Sequence, residues 1–564
     1  MTIRWRFRYT DEQLFLLVAI LIGVYAGLAV VCFRELIDYV HLHLLGSALN
    51  PPAVRVLLAP SLVGLAVAAL VIWFFPMVRG SGVNQTKAAL YIYDGFISFR
   101  TIAGKFLTSA LAIGSGHSLG PEDPSLQIGA GLASSIGRRL KLPRNRLRYI
   151  APVGAAAGIA AAFNSPITAV LFVIEEVIGG WSAGVLGAVI LAAVSAVVTV
   201  EWFLGDRPLF TVPAYHLVHP SELLAYAVLG VAGGGLSLVF VKMLGGLRPR
   251  LRALPLWTWY LQPAIAGLLI GVIAIWFPQV LGAGYEVVDQ AMHDQYTWQM
   301  LLAICLLKVL ATTASFASGV PGGMFAPTLF IGAMLGGAVC GVERLVAPGV
   351  IGPTGAYALV GMGTMFAGTL RAPMTSVFMI VEVSSNYSII LPVMISNTIA
   401  YFVSRQFQRD ALFDLLTHQD GVDLPSMEEE REAHARAVED VMHAADALLL
   451  SPKDSVHSAA ARVAQLEAET FLVPGDGGWG AIARRQLLEI AKDPAVADAP
   501  LGSRVPVIER PYAYPDQSLE TALRLLHGRR LIPVVHRADP KRIVGVLTLD
   551  DVLQAYGAVP AEPG

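Results

Sequence analysis

GPEDPSLQIGA (residues 120–130) and GMFAPTLFIGA (residues 323–333) are one eleven-residue phrase written twice, 203 positions apart. Each interrupts apolar sequence with glycine and proline, and each then resumes as a helical run. Proline favours the first turn of a helix, where its missing N–H would have had no partner anyway. The spacing therefore predicts a helix start at Pro124 and another at Pro327, with Asp123 as the N-cap of the first. A helix start inside a membrane presents free N–H groups and a positive dipole end, and such ends bind anions.

The repetition extends outward. FPMVRGSG (75–82) returns as FPQVLGAG (277–284), and VGAAAGIAAAFNSPITAVLFVIEE (153–176) returns as VGMGTMFAGTLRAPMTSVFMIVEV (360–383). The offsets are 202, 203 and 207, with the order kept. This is an internal duplication, with halves at about 12–205 and 215–416. Duplicated halves with broken helices at their interface are the architecture of transporters. Irregular backbone at that depth survives only where protein or a water-filled cavity surrounds it. Gly80-Ser81-Gly82 is a third such break, with Ser81 as a hydroxyl donor. No Lys or Arg inside the spans presents itself as a partner for an anion.

The composition agrees with a membrane setting. Of 564 residues, 55% are hydrophobic and 15% charged. The mean hydropathy is +0.61. Leu14–Phe33 is uncharged throughout, and Val56–Val78, Tyr149–Ile174 and Val177–Val200 are comparable apolar runs, long enough to span a bilayer. The expected fold is an all-α polytopic membrane protein of two repeats with broken, re-entrant helices. The first apolar run is longer than a signal-peptide core and has no small-residue cleavage site after it. A net charge of −2 gives no reason to expect a nucleic-acid partner. Cys32, Cys305 and Cys340 are scattered in apolar segments, which suits packing rather than a disulfide or metal framework. Arg4, Arg6 and Arg8, and the basic run from Arg138 to Arg148, are expected on the cytoplasmic side.

Membrane-like composition ends near residue 425. A linker (426–437) leads to a soluble part (438–556) and a short tail (557–564). Within it, SPKDSVHSAAARV and YPDQSLETALRLL open two similar segments, 438–496 and 503–556, each mixing short helices with apolar strands. A small cytoplasmic α/β unit is expected here.

The acids at 122 and 123 stand out, because charge at membrane depth is costly and usually functional. Glu122 at the mouth of an anion site could compete with the anion, and would withdraw once protonated. Anion movement and proton binding would then be linked. Glu175 and Glu176 form a second acidic pair. They mark either a function or the end of a span at the membrane surface.

Taken in order, GSGVNQ, GPEDPSLQIG, GVPGGMFAP and FNSPITAVLFVIEE resemble the signatures of the CLC chloride channel and transporter family over about residues 12–416. GVLTLDDVL (545–553) resembles the nucleotide signature of CBS domains, which commonly follow CLC membrane domains as a pair. The resemblance implies a homodimer in the lipid bilayer with one pore per subunit, and that the two repeats are inverted relative to each other. A bacterial relative would sit in the inner membrane, with N-terminus and CBS pair in the cytoplasm. It implies that Ser81, with the Met324 and Phe325 amides, coordinates a central chloride. It further implies that Glu122 gates the path and that Glu176 transfers protons from the inner side. Chloride and protons would be the partners, with neither cofactor nor metal required and no enzymatic step. At the CBS pair, Thr548 would meet a nucleotide phosphate and Asp551 the ribose of an adenine nucleotide. Ala483 and Gln486 stand at those places in the first copy.

The departures from the family pattern are informative. Pro121 replaces a basic residue and Asp123 a glycine. Phe413 stands where a tyrosine hydroxyl is usual, and losing that charge-assisted donor is expected to weaken the anion site by roughly 1.5–3 kcal/mol. Asp123 either caps its helix or, as a like charge beside Glu122, tunes the gate. The resulting reading is proton-coupled chloride antiport. The alternative is a passive, voltage-gated-type chloride channel of the same fold, with Glu176 vestigial. A fluoride exporter fits less well, given Ser81 and Glu176. No HExxH occurs for a membrane metalloprotease, and no acidic cluster suits a divalent-cation path.

Overall fold

In a computed structural model the described residues run from 11 to 556. Residues 47–51, 181–182, 206–209, 211–218, 350, 423, 425–435, 446–447, 467, 476–477, 506–510, 528, 530 and 538 are not among them. Arg4, Arg6 and Arg8, most of the 426–437 linker and the 557–564 tail thus lie outside the described residues. The chain divides into two compact units, Met1–Met427 and Glu428–Gly564.

The first unit is helical. Its first half holds α1 (Asp11–Leu44), α2 (Ala53–Trp73), α3 (Gly82–Tyr91), α4 (Phe99–Gly114) and α5 (Glu122–Arg139). It continues with α6 (Arg144–Leu147), α7 (Ile150–Phe163), α8 (Pro166–Phe172) and α9 (Ala183–Leu204). The second half repeats the plan with α10 (Glu222–Arg252), α11 (Thr258–Trp276), α12 (Tyr285–Met292), α13 (Trp298–Ala317) and α14 (Phe325–Val346). Then come α15 (Thr354–Leu370), α16 (Pro373–Ser384), α17 (Ile390–Phe407) and α18 (Leu412–Gln419). Among the described residues eight helices are long and apolar enough to cross a membrane. Shorter ones such as α3, α5 and α12 carry the breaks.

The duplication is visible in local chemistry. Ser98 caps α4 by accepting from the Thr101 N–H, and Thr297 caps α13 by accepting from the Met300 N–H. After α7 and α15 the chain turns through left-handed residues, Asn164 (φ 53°) and Arg371 (φ 57°). The packing of α5 on α7 needs bare glycine. A Cβ at Gly129 would fall 2.2 Å from the Gly154 carbonyl oxygen, and one at Gly332 equally close to that of Gly361. Small residues let backbones touch where lipid offers no hydrophobic drive between helices.

The second unit has two lobes, each with an antiparallel hairpin flanked by short helices. In the first, β1 (Thr470–Gly475) pairs with β2 (Gly478–Ala483) in register from Thr470 opposite Ala483 to Gly475 opposite Gly478. Phe471, Val473, Ile482 and Leu487 fill its core with Val456, Val463 and Leu501. In the second, β3 (Leu531–His536) pairs with β4 (Asp539–Thr548) around Leu519, Leu526, Ile532, Val534 and Val552. The lobes do not follow the sequence copies. Val438 lies in the second lobe's core. The Val438 N–H donates to the Gln517 carbonyl, and His443 exchanges both backbone hydrogen bonds with Val546. The start of the 438–496 segment thus completes the other lobe, because the β4 edge needs a partner strand.

Candidate functional site

Each break ends in the same device. Gly120 and Gly323 form an isolated antiparallel bridge, each N–H donating to the other's carbonyl at 2.8 Å. Directly beyond it, α5 starts at Glu122 and α14 at Phe325. The bridge thereby holds two helix starts side by side in the buried interior, where Glu122, Met324 and Phe325 are at most 1% exposed.

Glu122 faces the other repeat. Its Oε2 accepts from the Ala326 N–H at the start of α14 (3.3 Å). Its Oε1 accepts from the Tyr285 hydroxyl. A carboxylate thus occupies the positive end of the second-repeat helix, where a bound anion would sit. Tyr285, the first residue of α12, carries no signal of this role in the order of residues.

Asp123 behaves differently from the expectation. The helix starts two residues earlier, at Glu122 with Pro121 as its N-cap, so Asp123 lies within the first turn and does not cap α5. Its carboxylate reaches α3 instead. Oδ2 accepts from the Gly82 N–H at 3.0 Å, and Oδ1 from the Val83 N–H and the Ser81 hydroxyl, each at 3.0 Å. Gly80, at φ +84°, makes the turn that aims this helix start. Ser81 therefore lies against Asp123.

Phe325 and Phe413 do come together, with ring centroids 5.9 Å apart. Phe172 packs edge-on against Phe325 at 5.1 Å, and Phe366 lies 5.7 Å from it. The place where a tyrosine hydroxyl was missed is thus an apolar aromatic cluster. The Phe413 backbone is tied in by the Asn84 side-chain amide, which donates to its carbonyl at 2.9 Å.

The pair Glu175–Glu176 sits on a π-helical turn, Val173–Ile178, and both are buried. Neither marks a surface, and they diverge. Glu175 caps α16, accepting from the Met374 and Thr375 N–H groups (3.3 and 2.9 Å) and the Thr375 hydroxyl (2.7 Å). Glu382 on α16 caps α8 in the same way, taking the Ile167 and Thr168 N–H groups (2.9 and 2.8 Å) and the Thr168 hydroxyl. Glu176 instead meets Lys87 of α3, Nζ to Oε1 at 2.6 Å, with Asp414 3.6 Å from the same ammonium.

Three lysines are buried in the helices, Lys87, Lys105 and Lys308, each at most 1% exposed, and their contacts are with the protein's own groups. Lys105 donates to the Val78 and Gly80 carbonyls (3.2 and 2.9 Å), and Lys308 to those of Val280 and Gly282 (3.0 and 2.7 Å). They brace the two glycine loops by their carbonyls, with no carboxylate in direct contact. Their spacing of 203 residues is that of the duplication, and it was the available signal.

Two cavities lie in the membrane unit near its helix breaks. One, of about 400 Å³, is lined by Arg34, Asp38, His41, Pro121, Tyr285 and Glu286. A narrower cleft meets Gly80 and Gly319 and is lined by Arg79, Arg248 and Arg252. There Arg79 stacks on Trp259 at 4.4 Å, and Asp420 pairs with both Arg248 and Arg252.

In the tail, Thr548 and Asp551 bind each other. The Thr548 N–H donates to Asp551 Oδ2 (2.8 Å), and the Asp551 N–H to the Thr548 hydroxyl oxygen (3.2 Å). His443 lies 2.8 Å from Asp551 Oδ1. They close a capping box on the helix Leu549–Ala555.

The profile of the Voltage gated chloride channel family matches residues 63–405 of this chain. The chain belongs to that family. The CLC unit is followed by a CBS domain, matched over residues 503–558. A putative chloride channel protein, ClcB-like, of Ralstonia nicotianae is 34% identical over 400 residues, or 68% of this CLC chain and 92% of that protein. An H(+)/Cl(-) exchange transporter, ClcA, of Cronobacter sakazakii is 30% identical over 68% of this chain and 84% of its own length. The structure of a slow cyanobacterial Cl-/H+ antiporter superposes with a TM-score of 0.68 at 23% identity, covering 73% of this chain and 98% of that one. The polytopic helical CLC fold with a small α/β tail agrees with the expectation from the sequence.

Proposed function

We propose that this CLC protein carries chloride across the membrane in exchange for protons, with Glu122 as the gate. The observation that supports the reading best is the Glu122 carboxylate on the Ala326 amide at the start of α14. A side chain that holds an anion's place and can also take a proton couples the two ions. When it is neutral its attraction to the helix start falls, and the anion takes the place it leaves. Met324, Phe325 and the ring of Phe413 would then surround the chloride. Glu176 is the proposed inner proton station, and Lys87 holds it in place.

A second reading, a passive channel, has its own support. The Lys87–Glu176 ion pair fixes the inner acid as a buried charge, which suits a structural role. Reconstituted vesicles separate the two. An outward chloride gradient is expected to drive uphill proton entry in wild type, and Glu122→Gln to keep chloride movement while losing proton movement. Chloride flux with no proton movement in wild type would establish the channel reading.

The further proposals follow the family. The protein would be a homodimer in a bacterial inner membrane, its basic 138–148 run and tail facing the cytoplasm. Thr548 and Asp551 are engaged with each other, so an adenine nucleotide there would first have to open that cap. We therefore assign the tail to assembly and stability before nucleotide sensing.

A further inference from the structure

Adjacent residues at the head of α5 send their carboxylates to two different helix starts. Glu122 goes to α14 of the second repeat and Asp123 to α3 of the first. The partners of Asp123 are those a small anion would take: two first-turn amides and a hydroxyl at the positive end of a ten-residue helix. Asp123 is 2% exposed and all three contacts are at 3.0 Å.

A serine hydroxyl has one proton to donate. Ser81 gives its proton to Asp123, while its oxygen accepts from the Val83 N–H at 3.1 Å. Nothing remains on that side chain to donate to a passing ion. The Lys105 ammonium, on the Gly80 carbonyl next in sequence, adds positive charge to the neighbourhood of the seat. The second repeat supplies an internal control. The counterparts of Asp123 and Ser81 are Ala326 and Ala283, so those two positions bring neither a carboxylate nor a hydroxyl to the second repeat, and the Ala326 amide itself receives Glu122.

We propose that Asp123 is a resident carboxylate filling the anion seat of the first repeat, so that a transported anion is left with the amides of the second. Asp123 is then a specificity-determining residue that keeps halide affinity low. The absent hydroxyl at Phe413 acts in the same direction. This rests on the anion-transport reading above.

Chloride and bromide titrations of the purified full-length protein by calorimetry test it. Asp123→Ala is expected to bind chloride at least about tenfold more tightly, or to gain one ion per subunit. Asp123→Asn, which keeps the shape without the charge, is expected to show a smaller gain in the same direction. Adding Ser81→Ala to Asp123→Ala should remove the gain. Monodisperse elution and an unchanged melting transition identify folded variants, and the Asn variant serves if the Ala variant does not fold. A folded variant with wild-type affinity and stoichiometry overturns the proposal, as does a gain that survives loss of Ser81. Chloride flux by wild type in vesicles is measured alongside. If wild type moves no chloride yet the variants gain binding, the transport reading fails and the seat assignment stands. If wild type exchanges and no variant gains, the seat assignment fails alone.

Discussion

The two repeats of the membrane unit share their scaffold and differ in their charge. Lys105 and Lys308 brace equivalent glycine loops, and Glu175 and Glu382 cap each other's short helices. Every shared element satisfies backbone groups that the broken helices leave open, a need both halves have equally. The differences lie at the residues proposed to handle the ions. Glu122 and Asp123 face Phe325 and Ala326, Ser81 faces Ala283, and Glu176 faces Val383. The cavities differ likewise, with Asp38, Glu286, His41 and Arg34 around one and three arginines around the other. The duplicated parts hold the chain together at depth, and the unmatched parts are where ion chemistry is to be sought.

That division can be broken by experiment. The largest effect is expected from Lys87, whose counterpart in the second repeat is an acid, Asp289. Lys87→Met leaves Glu176 buried without its cation and should cost about 3–5 kcal/mol. Adding Glu176→Leu should restore most of it, because an apolar pair of similar volume is often as stable. Heat-induced loss of monodisperse protein measures both, and a failure of the second change to rescue would make Lys87 more than a partner of Glu176. Next come the matched caps. Glu175→Ala and Glu382→Ala each strip buried donors of their acceptor, at about 1–3 kcal/mol per group. The two variants should lose similar stability by the same assay. A large disparity would show that the repeats do not share this element equally. The smallest effect belongs to Tyr285, whose second-repeat position corresponds to Val83 of the first. Tyr285→Phe removes one charge-assisted hydrogen bond from Glu122, worth about 1.5 kcal/mol at the low end of its range. Initial chloride efflux should rise about tenfold with the proton-to-chloride ratio unchanged. A slower flux would mean that the hydroxyl serves the open state instead.

Much of this was legible in the residues. The repeat phrase, the paired helix starts and the buried acid at 122 follow from the order and spacing of residue types, and the missing hydroxyl at Phe413 from the family resemblance. Asp123 was not, because its partner helix lies some forty residues earlier in the chain, and local spacing says nothing about which of several helix starts a carboxylate will reach. The proline rule also misplaced the start of α5. Proline tolerates any first-turn position, so Pro124 falls two residues inside the helix and frees Asp123 to turn away. Glu175 and Glu176 are adjacent and chemically alike, and only the π-helical turn separates a cap from an ion pair. The lysines escaped notice singly, although their spacing repeats the duplication.

The exchanged caps bear on how the protein is made. When the ribosome has delivered the first half to the bilayer, the α8 amides at Ile167 and Thr168 still lack Glu382, which is more than two hundred residues away. The Glu175 carboxylate likewise has no α16 to receive it. Neither half can complete its buried hydrogen bonds alone, so the first must wait at the insertion machinery, exposed to quality-control proteases, until the second arrives. Truncated products from premature stops within α10–α16 should therefore be cleared rather than accumulate as half-transporters.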